Sequence, residues 1–449
     1  MNVESAAELA AVSPSSAAPS EGAARHWSSG DVGPQNFSAS SDDGVSWPIE
    51  RWLLRRIMTA CGNPPVRIRL WDGIDIAPGE GAATGTVQIG NRRTLWRLLF
   101  DPRVVFGDAY SEGTLQVQGS LVDVLSAICA GVMRISAGGA LERFVHRPRR
   151  TRTHSLADSR ESVHHHYDIG NEFYRLWLDE RMQYTCAYYA HSNFNLEQAQ
   201  LAKLDHVCRK LQLQPGQSVV EAGCGWGGLA LHMAERYGVS VRAFNLSREQ
   251  VAFARERAAS AGLARRVEFI QDDYRNVTGK YDAFVSVGML EHVGREMFGE
   301  LGRVIDRSLT PTGRGLIHSI GRNRPQPLDP WTVKRIFPGA YPPSLGEMLK
   351  IFEPFRLSVL DVENLRLHYA RTLEHWLERF EYNIGKIAAL FDDRFVRMWR
   401  MYLAGSIASF KVGSLQLFQV VFARESNNEI PMTRRHLYDA DQCTPGLPA

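Results

Sequence analysis

The chain has 449 residues, of which 44% are hydrophobic and 10% aromatic, enough for two domains with sizeable cores plus terminal tails. Its formal net charge of +3 is close to neutral for this length, so the composition does not indicate a nucleic-acid partner. No run approaches the roughly 20 apolar residues of a transmembrane helix, and the N-terminus lacks the pattern of a secretory signal.

The cysteine pattern predicts reduced thiols, and we therefore expect a cytoplasmic protein. No C-x-x-C pair and no metal-ligand spacing occurs among the cysteines. They are Cys61, Cys129, Cys186, Cys208, Cys224 and Cys443. Three consecutive histidines, His164–His166, cannot all face one ion in a helix or strand. No metal site is expected.

The N-terminal third predicts a tail followed by a small α/β domain. Residues 1–47 are rich in Ala, Ser and Gly and are expected to be disordered. In residues 48–140, alternating apolar positions predict strands and helical spacing predicts two helices. The strands are Val66–Trp71, Gly85–Gly90 and Leu115–Ser120, and the helices are Arg51–Cys61 and Leu121–Ile128. A purely structural domain and a lipid-associated module both fit this pattern.

A basic segment follows the small domain. Residues 141–160 contain the arginine-rich run Arg143–Arg152 with one proline. A solvated hinge is the simplest interpretation. Contact with anionic lipid headgroups is the alternative, because each surface Lys or Arg contributes about 1 kcal/mol there.

Strands and helices alternate across residues 161–425, which predicts a doubly wound α/β sheet. The strands are Ser218–Val220, Val239–Phe244, Val267–Ile270, Ala283–Val287, Gly315–Ile320 and Leu415–Phe422. The helices include Glu197–Leu211, Leu229–Glu235, Glu249–Ala261, Tyr369–Phe380 and Asp392–Phe410, the last two expected to cap the substrate side. Ligands of such sheets bind beyond the carboxyl ends of the strands. Residues 426–449 are read as a C-terminal tail.

A glycine-rich turn after the first strand of this sheet is the strongest single motif. Val219–Gly228 runs from buried β-branched residues through Glu221 into a helical pattern. Glycines let a ligand approach the backbone, and the amides at the start of the helix favour a negative group. Beside them, Glu221 favours a cation. S-adenosylmethionine (SAM) carries both charges, and the spacing is not that of the dinucleotide-binding G-x-G-x-x-G.

Polar residues follow the later strands of the sheet. Asn245, Ser247 and Gln250 stand where many SAM enzymes place an acid for the ribose hydroxyls. Asp273 could accept from the adenine amino group, or simply cap a helix or turn. An acid, Glu291, comes just past the fourth strand. His318 lies inside an apolar strand, where a histidine is ordinarily a satisfied core residue.

Together these segments resemble the cyclopropane-fatty-acyl-phospholipid synthase family, including the mycolic-acid cyclopropane synthases. The matching segments are His166–Tyr174, Met182–Tyr189, Glu221–Gly228, Val285–Gly294, His318–Gly321, Asp329–Trp331, Ile336–Pro338 and Gln416–Phe422. Phe106–Tyr110 also resembles the small N-terminal domain of the bacterial phospholipid enzymes. The resemblance implies a Rossmann-like SAM-dependent methyltransferase sheet with a helical cap.

The resemblance also implies a reaction and its residues. A cis double bond of an unsaturated phospholipid attacks the SAM methyl group, a proton leaves the resulting carbocation, and a cyclopropane ring closes. A bicarbonate ion is expected at Cys186, Glu291, His318, Ile320 and Tyr369, of which the four side chains Cys186, Glu291, His318 and Tyr369 are catalytic candidates. The residues expected at the SAM site are Tyr184, Thr185, Glu221, Gly223, Gly225, Gly227, Asn245, Leu246, Ser247, Gln250, Asp272 and Asp273.

The family pattern further implies a peripheral enzyme on the inner face of the membrane, and a homodimer. Two positions depart from it: Glu221 stands where many members have Asp, and Ser406 stands where some have a reactive cysteine. Three alternative functions remain open. They are a fatty-acyl methyltransferase giving methyl-branched or methylene chains, a non-catalytic lipid-binding relative, and a methyltransferase for a small soluble molecule.

Overall fold

The computed structural model describes residues 43–76, 82–134 and 169–438. Most of the predicted N-terminal tail, the whole basic segment 141–160, His164–His166, the last part of the C-terminal tail and Cys443 lie outside these residues. In the described residues, no helix combines the length and apolar character needed to cross a membrane.

The N-terminal residues form a four-stranded mixed sheet with the strand order β2-β1-β3-β4. Its strands are β1 Val66–Arg69, β2 Asp75–Ile76, β3 Gly85–Ile89 and β4 Leu115–Gln118, and its helices are α1 Pro48–Ala60, α2 Arg92–Phe100, α3 Pro102–Ser111 and α4 Leu121–Arg134. The alternating segments of the sequence correspond to β1, β3 and β4. Helices α2 and α3 were not predicted, although Asn91 caps α2 by accepting from the backbone N–H of Thr94 at 2.8 Å.

The second sheet has seven strands in the order β10-β11-β9-β8-β5-β6-β7. They are β5 Ser218–Ala222, β6 Ser240–Asn245, β7 Val267–Gln271, β8 Tyr281–Val287, β9 Leu309–Gly321, β10 Leu357–Asn364 and β11 Gln416–Arg424. Strands β5 to β9 are parallel, and β11 runs antiparallel to both β9 and β10. The chain order reverses between β5 and β8, which opens a ligand crevice at their carboxyl ends. The predicted doubly wound α/β class is confirmed.

Helices cover both faces of this sheet. They are α5 Asn171–Arg175, α6 Leu196–Leu211, α7 Gly228–Tyr237, α8 Arg248–Ser260, α9 Phe298–Ser308, α10 Pro330–Arg335, α11 Leu345–Phe352, α12 Arg366–Tyr382, α13 Ile384–Leu390 and α14 Asp393–Val412. Consecutive strand residues enter different apolar cores: Val219 packs with α7 and α8, whereas Val220 packs with α9 and α11. Since neighbouring strand side chains point to opposite faces, the two cores lie on either side of the sheet.

A third core joins the cap of the large sheet to the N-terminal domain. Helices α12 and α14 pack together, and α14 also packs against α3 and α4. At the centre of this core, Phe173, Trp177, Trp376 and Trp399 are fully buried in edge-on and tilted aromatic contacts. The N-terminal domain is therefore packed directly onto the helical cap.

A buried carboxylate fastens the N-terminal domain to α10. Asp108 of α3 accepts from both Nε and Nη2 of Arg335 at 2.8 Å and from the indole N–H of Trp331 at 3.1 Å. These donors hold the pKa of Asp108 below its ordinary value in spite of its burial. Beside it, Gly107 lies so close to Trp331 that a Cβ would stand 2.5 Å from the indole ring.

Removing this carboxylate should weaken the attachment strongly. We expect Asp108→Ala to lower the free energy of unfolding by about 2–4 kcal/mol, because it leaves a partly buried guanidinium without its partner. Urea unfolding followed by tryptophan fluorescence measures the change. Asp75→Ala, which breaks an exposed ion pair with Arg69 in the same domain, is the control and should have a much smaller effect. Similar losses in both variants would contradict the prediction.

Candidate active site

Two adjoining cavities open at the carboxyl ends of the parallel strands. The cofactor cavity lies around the turn after β5 and the ends of β6, β7 and β8. The inner cavity lies deeper, between the end of β9 and helices α12 and α14. Tyr184, Thr185, Gly288 and His292 line both of them, so a single layer of residues separates the two spaces.

Most residues expected at the SAM site line the cofactor cavity. They are Tyr184, Thr185, Glu221, Gly223, Gly225, Asn245, Leu246, Gln250, Asp272 and Asp273. Gly227 and Ser247 do not line it. Gly227 precedes α7 in a left-handed conformation, and Ser247 caps α8 by accepting from the backbone N–H of Gln250 at 3.3 Å. Both shape the turns that bound the cavity.

Glu221 brings a buried carboxylate to the cavity wall. Its side chain is 2% exposed, and its Oε2 has no hydrogen-bond partner among the described residues. Burial raises the pKa of Glu221 to about 8. A carboxyl group in this state favours a positively charged ligand, because a nearby cation restores the ionised form.

An amide network holds the turn after β6. Asn245 donates to the side-chain oxygen of Gln250 at 2.8 Å and to the carbonyl of Gly225 at 3.1 Å. The Nε2 of Gln250 is buried with no protein partner in the described chain. This amide therefore keeps unused N–H donors, which suit a hydroxyl oxygen of a ligand.

Asp273 is already engaged within the protein. It caps the short 3-10 helix Tyr274–Asn276 and accepts from Nε and Nη2 of Arg275 at 2.7 and 2.9 Å. The capping role considered from the sequence is therefore present. Asp272 accepts from the side chain of Asn276 at 2.9 Å. Both aspartates still lie on the cavity wall.

The inner cavity brings together all five residues expected to hold an anion. Cys186, Glu291, His318, Ile320 and Tyr369 come from four separate parts of the chain and all line it. The Cys186 thiol is fully buried and donates to the carbonyl of Ala187 at 3.2 Å. Burial raises the pKa of this thiol, so it remains protonated.

Glu291 has one engaged and one unengaged oxygen. Its Oε1 accepts from the backbone N–H of Ile320 at 2.5 Å, whereas Oε2 is buried without a protein partner in the described residues. Burial raises the pKa of Glu291 to about 7. Near neutral pH this group can therefore either donate or accept a proton.

His318 presents an N–H donor to the same space. In the β9–β11 register it stands opposite Gln419, whose Nε2 lies 3.0 Å from the ring Nδ1. With this amide donating, Nδ1 accepts and Nε2 carries the proton, yet Nε2 has no partner among the described residues. Burial holds the pKa of His318 well below its ordinary value, so the ring is neutral.

Several lining residues were missed by the sequence reasoning. One of them is Tyr402, whose hydroxyl lies 2.9 Å from that of the predicted site residue Tyr184 and whose ring packs edge-on against Phe337. Apolar side chains complete the wall: Leu328, Ala340, Pro342, Leu373, Phe410, Leu415 and Leu417. Gln419, a polar residue between the apolar residues Phe418 and Val420 of β11, was the one available signal for the partner of His318.

The raised pKa of Glu291 predicts a pH-dependent stability difference. Because the folded form binds this proton more tightly than the unfolded form, its contribution is complete below about pH 4.5 and is lost as the pH rises to about 7. Glu291→Gln has no titrating group at this position and does not lose this stability. We expect its free energy of unfolding, relative to that of the original protein, to be up to about 3 kcal/mol higher at pH 8 than at pH 4.5.

Urea unfolding of both proteins at the two pH values measures this gain. Other groups that titrate, such as Glu221, are present in both proteins and cancel in the comparison. A stability difference that stays constant across the range would contradict a raised pKa at Glu291.

Residues 154–420 match the family described as Mycolic acid cyclopropane synthetase, and residues 53–132 match a domain of unknown function, DUF7884. A probable fatty acid methyltransferase of Pseudomonas putida is 34% identical over 83% of this chain and 96% of its own length. The cyclopropane-fatty-acyl-phospholipid synthase of Escherichia coli K12 is 36% identical over 79% of this chain and 92% of its own.

Solved structures agree with this assignment. The cyclopropane synthase MmaA2 of Mycobacterium tuberculosis has a TM-score of 0.57 and 28% identity, covering 59% of this chain and 98% of its own. The mycolic acid cyclopropane synthase CmaA1, in a complex with S-adenosylhomocysteine (SAH), has a TM-score of 0.56 and 29% identity, covering 59% of this chain and 97% of its own. The chain is a SAM-dependent enzyme of the methyltransferase class, and it belongs to the mycolic acid cyclopropane synthetase family.

Proposed function

We propose that the enzyme transfers a methylene group from SAM to the cis double bond of an unsaturated phospholipid acyl chain, forming a cyclopropane ring. The observation that carries this proposal is the contact between two unlike cavities. A cavity that brings several polar side chains together and suits SAM meets a more apolar cavity that suits an acyl chain, and Tyr184 and Thr185 stand between them. This arrangement lets a methyl group pass directly between the two ligands.

SAM supplies an electrophilic methyl group on its sulfonium. The two π electrons of the alkene form the new C–C bond, the C–S bond breaks, and SAH leaves with that electron pair. The other alkene carbon becomes a carbocation. Loss of one proton from the transferred methyl group then provides the electron pair that closes the ring.

The residues of the inner cavity can stabilise the carbocation and can also bind the base that accepts this proton. Tyr184, Phe337, Tyr369 and Tyr402 surround the inner cavity with aromatic faces, which stabilise a cation. The unpartnered N–H of His318 and the carboxyl group of Glu291, whose pKa burial raises to about 7, fit a bicarbonate ion, which would take up one proton there. The apolar side chains that line the cavity disfavour water, which would convert the cation to an alcohol.

The phospholipid substrate implies a peripheral enzyme at the inner face of the membrane. Helix α1 supports this placement, because Trp47 at its N-cap and Ile49 and Trp52 within it are about half exposed. Arg55 and Arg56 are exposed on the same helix. Aromatic and basic side chains together favour an anionic bilayer surface. The homodimer implied by the family remains part of this proposal.

A fatty-acyl methyltransferase is the second candidate, because the Pseudomonas putida relative carries that name. The same cation would then lose the proton of the chain carbon that carries the methyl group, giving a methyl-branched alkene, or, after a 1,2-hydride shift, a proton of the methyl group, giving a methylene chain. Both candidates require the same cavities and differ only in the fate of the cation.

Mass spectrometry of acyl chains after incubation with SAM and unsaturated phospholipid vesicles tests the proposal. Chains heavier by one CH2 that resist mild alkene hydrogenation would support a cyclopropane. The same mass gain with an alkene retained would favour the second candidate. SAM binding without any mass gain would contradict both, and would leave a soluble substrate or a non-catalytic lipid-binding protein.

A further inference from the structure

A fully buried lysine lies behind the wall of the cofactor cavity. Lys203 of α6 is 0% exposed, and its Nζ lies 2.6 Å from Oε1 of Gln183 and 2.9 Å from Oγ1 of Thr185. Gln183 and Thr185 line the cofactor cavity, whereas Lys203 itself does not. Any influence of this ammonium on a ligand passes through these two side chains.

The ammonium fixes the hydrogen-bonding direction of both partners. A protonated lysine has only donors, so it must meet the carbonyl oxygen of the Gln183 amide and the oxygen of the Thr185 hydroxyl. The amide NH2 of Gln183 and the hydroxyl proton of Thr185 must then point elsewhere. Both groups can therefore donate hydrogen bonds to a ligand at this part of the cavity wall.

The side chain of Gln183 also lies against the start of α7. A Cβ at Gly228, the first residue of α7, would stand 1.9 Å from Nε2 of Gln183, so the amide NH2 packs beside the first residue of this helix. Helix N-termini favour anions. Gln183 and Thr185 line the cofactor cavity together with Leu229 of the first turn of α7, and a carboxylate is the group of SAM that matches donors on this wall.

We propose that Lys203 is a positioning residue that turns the donors of Gln183 and Thr185 toward the carboxylate of SAM. This inference rests on the proposed function and assigns a partner to one end of the cofactor. Glu221, on the same cavity wall, would meet the positive ammonium or sulfonium of the ligand. The donors that Lys203 orients and the carboxyl group of Glu221 thus match the two opposite charges of a zwitterionic amino acid.

The surrounding contacts support a fixed rather than a mobile lysine. Gln200, one turn earlier on α6, donates to the carbonyls of Gln183 and Thr185 at 3.3 and 2.9 Å. Burial lowers the pKa of Lys203 to about 8, while Asp179 and Glu221 favour its charged form. The ammonium is therefore largely retained at neutral pH.

The affinities of Lys203→Met for two ligands, measured by calorimetry, distinguish a role in positioning the cofactor from a general role in supporting the fold. SAH carries the carboxylate, and 5′-methylthioadenosine lacks the entire amino-acid part. We expect the Kd of SAH to rise about 30-fold and that of 5′-methylthioadenosine to change less than about twofold. Methionine has nearly the volume of lysine and leaves only two neutral oxygens, those of Gln183 and Thr185, without their donor, and thermal unfolding checks that the variant remains folded.

Lys210→Met is the matched control. Lys210 is a buried lysine on the same helix, but it bonds to Glu363 at 2.6 Å and does not touch the segment Gln183–Thr185. Its variant should leave the ratio of the two Kd values unchanged. Thr185→Val should reproduce part of the loss of SAH affinity seen in Lys203→Met. Thr185→Ser should bind SAH as the unmodified protein does, since serine keeps the hydroxyl.

Two results would overturn the inference. Equal losses for both ligands in Lys203→Met would mean that the lysine only supports the fold, and an unchanged SAH affinity would mean that the donors do not depend on it. In either case SAH binding by the unmodified protein leaves the proposed function intact. If the unmodified protein does not bind SAH, the proposed function fails and the role of Lys203 fails with it.

Discussion

Glu291→Gln is expected to lower turnover by about 10³-fold or more while leaving the Kd of SAH within about threefold. The carboxyl group lines the inner cavity but not the cofactor cavity, so its loss should spare cofactor binding. Glutamine keeps the acceptor for the N–H of Ile320, but it can neither give nor take a proton near neutral pH. Methyl transfer to lipid and calorimetry with SAH provide the two measurements.

Glu50→Gln is the control for this experiment. Glu50 is as deeply buried, but it lies in the N-terminal domain and pairs with Arg92 at 2.9 Å. Its variant should retain turnover once it is folded. A loss of SAH binding in Glu291→Gln, in parallel with turnover, would remove Glu291 from the chemical step and make it a cofactor residue.

Gly227→Ala is expected to lower the free energy of unfolding by about 2–5 kcal/mol and to weaken SAH binding at least tenfold. Gly227 has a φ of +79°, which an L side chain rarely adopts, and a Cβ there would stand 2.5 Å from the ring of Phe269 and 2.9 Å from Cβ of Ala254. The turn can accept this atom only if the start of α7 moves. Thermal unfolding and calorimetry measure the two effects.

Gly216→Ala measures the stability cost of a positive φ by itself, without a steric clash. Gly216 has a similar φ of +85°, but a Cβ there would meet nothing within 4 Å. We expect this variant to lose only about 1 kcal/mol of stability and to bind SAH normally. Equal destabilisation in the two variants would show that close packing against Phe269 contributes nothing.

The positions of the parallel strands along the chain and the glycine turn could be predicted because local patterns determine them, whereas the order of the strands in the sheet was not predicted. Alternating apolar residues mark a strand such as β6, and the glycines after β5 mark the turn. Strand β10 was missed, since its residues are only partly buried and their pattern is weak. Helices α2 and α3 were also missed, and their boundaries depend on capping by Asn91 and on Pro102.

The site was predictable to the extent that its residues belong to recognisable motifs. The segments around Glu291 and His318 could be found in this way, and the structure places both on one cavity wall. Lys203 could not be found, because a lone lysine in a helical pattern is ordinarily exposed. Its burial depends on contacts with Gln183 and Thr185, which are 20 and 18 residues away in sequence.

The attachment of the small domain through Asp108 has a consequence for the catalytic half of the chain. Trp331 and Arg335, which meet Asp108, flank Thr332, and Thr332 lines the inner cavity. One short helix thus serves at once as a docking site for the N-terminal domain and as part of the cavity wall. A catalytic domain prepared alone would expose an indole and leave an arginine unneutralised on the back of that wall, so the small domain is a structural component of the reaction chamber.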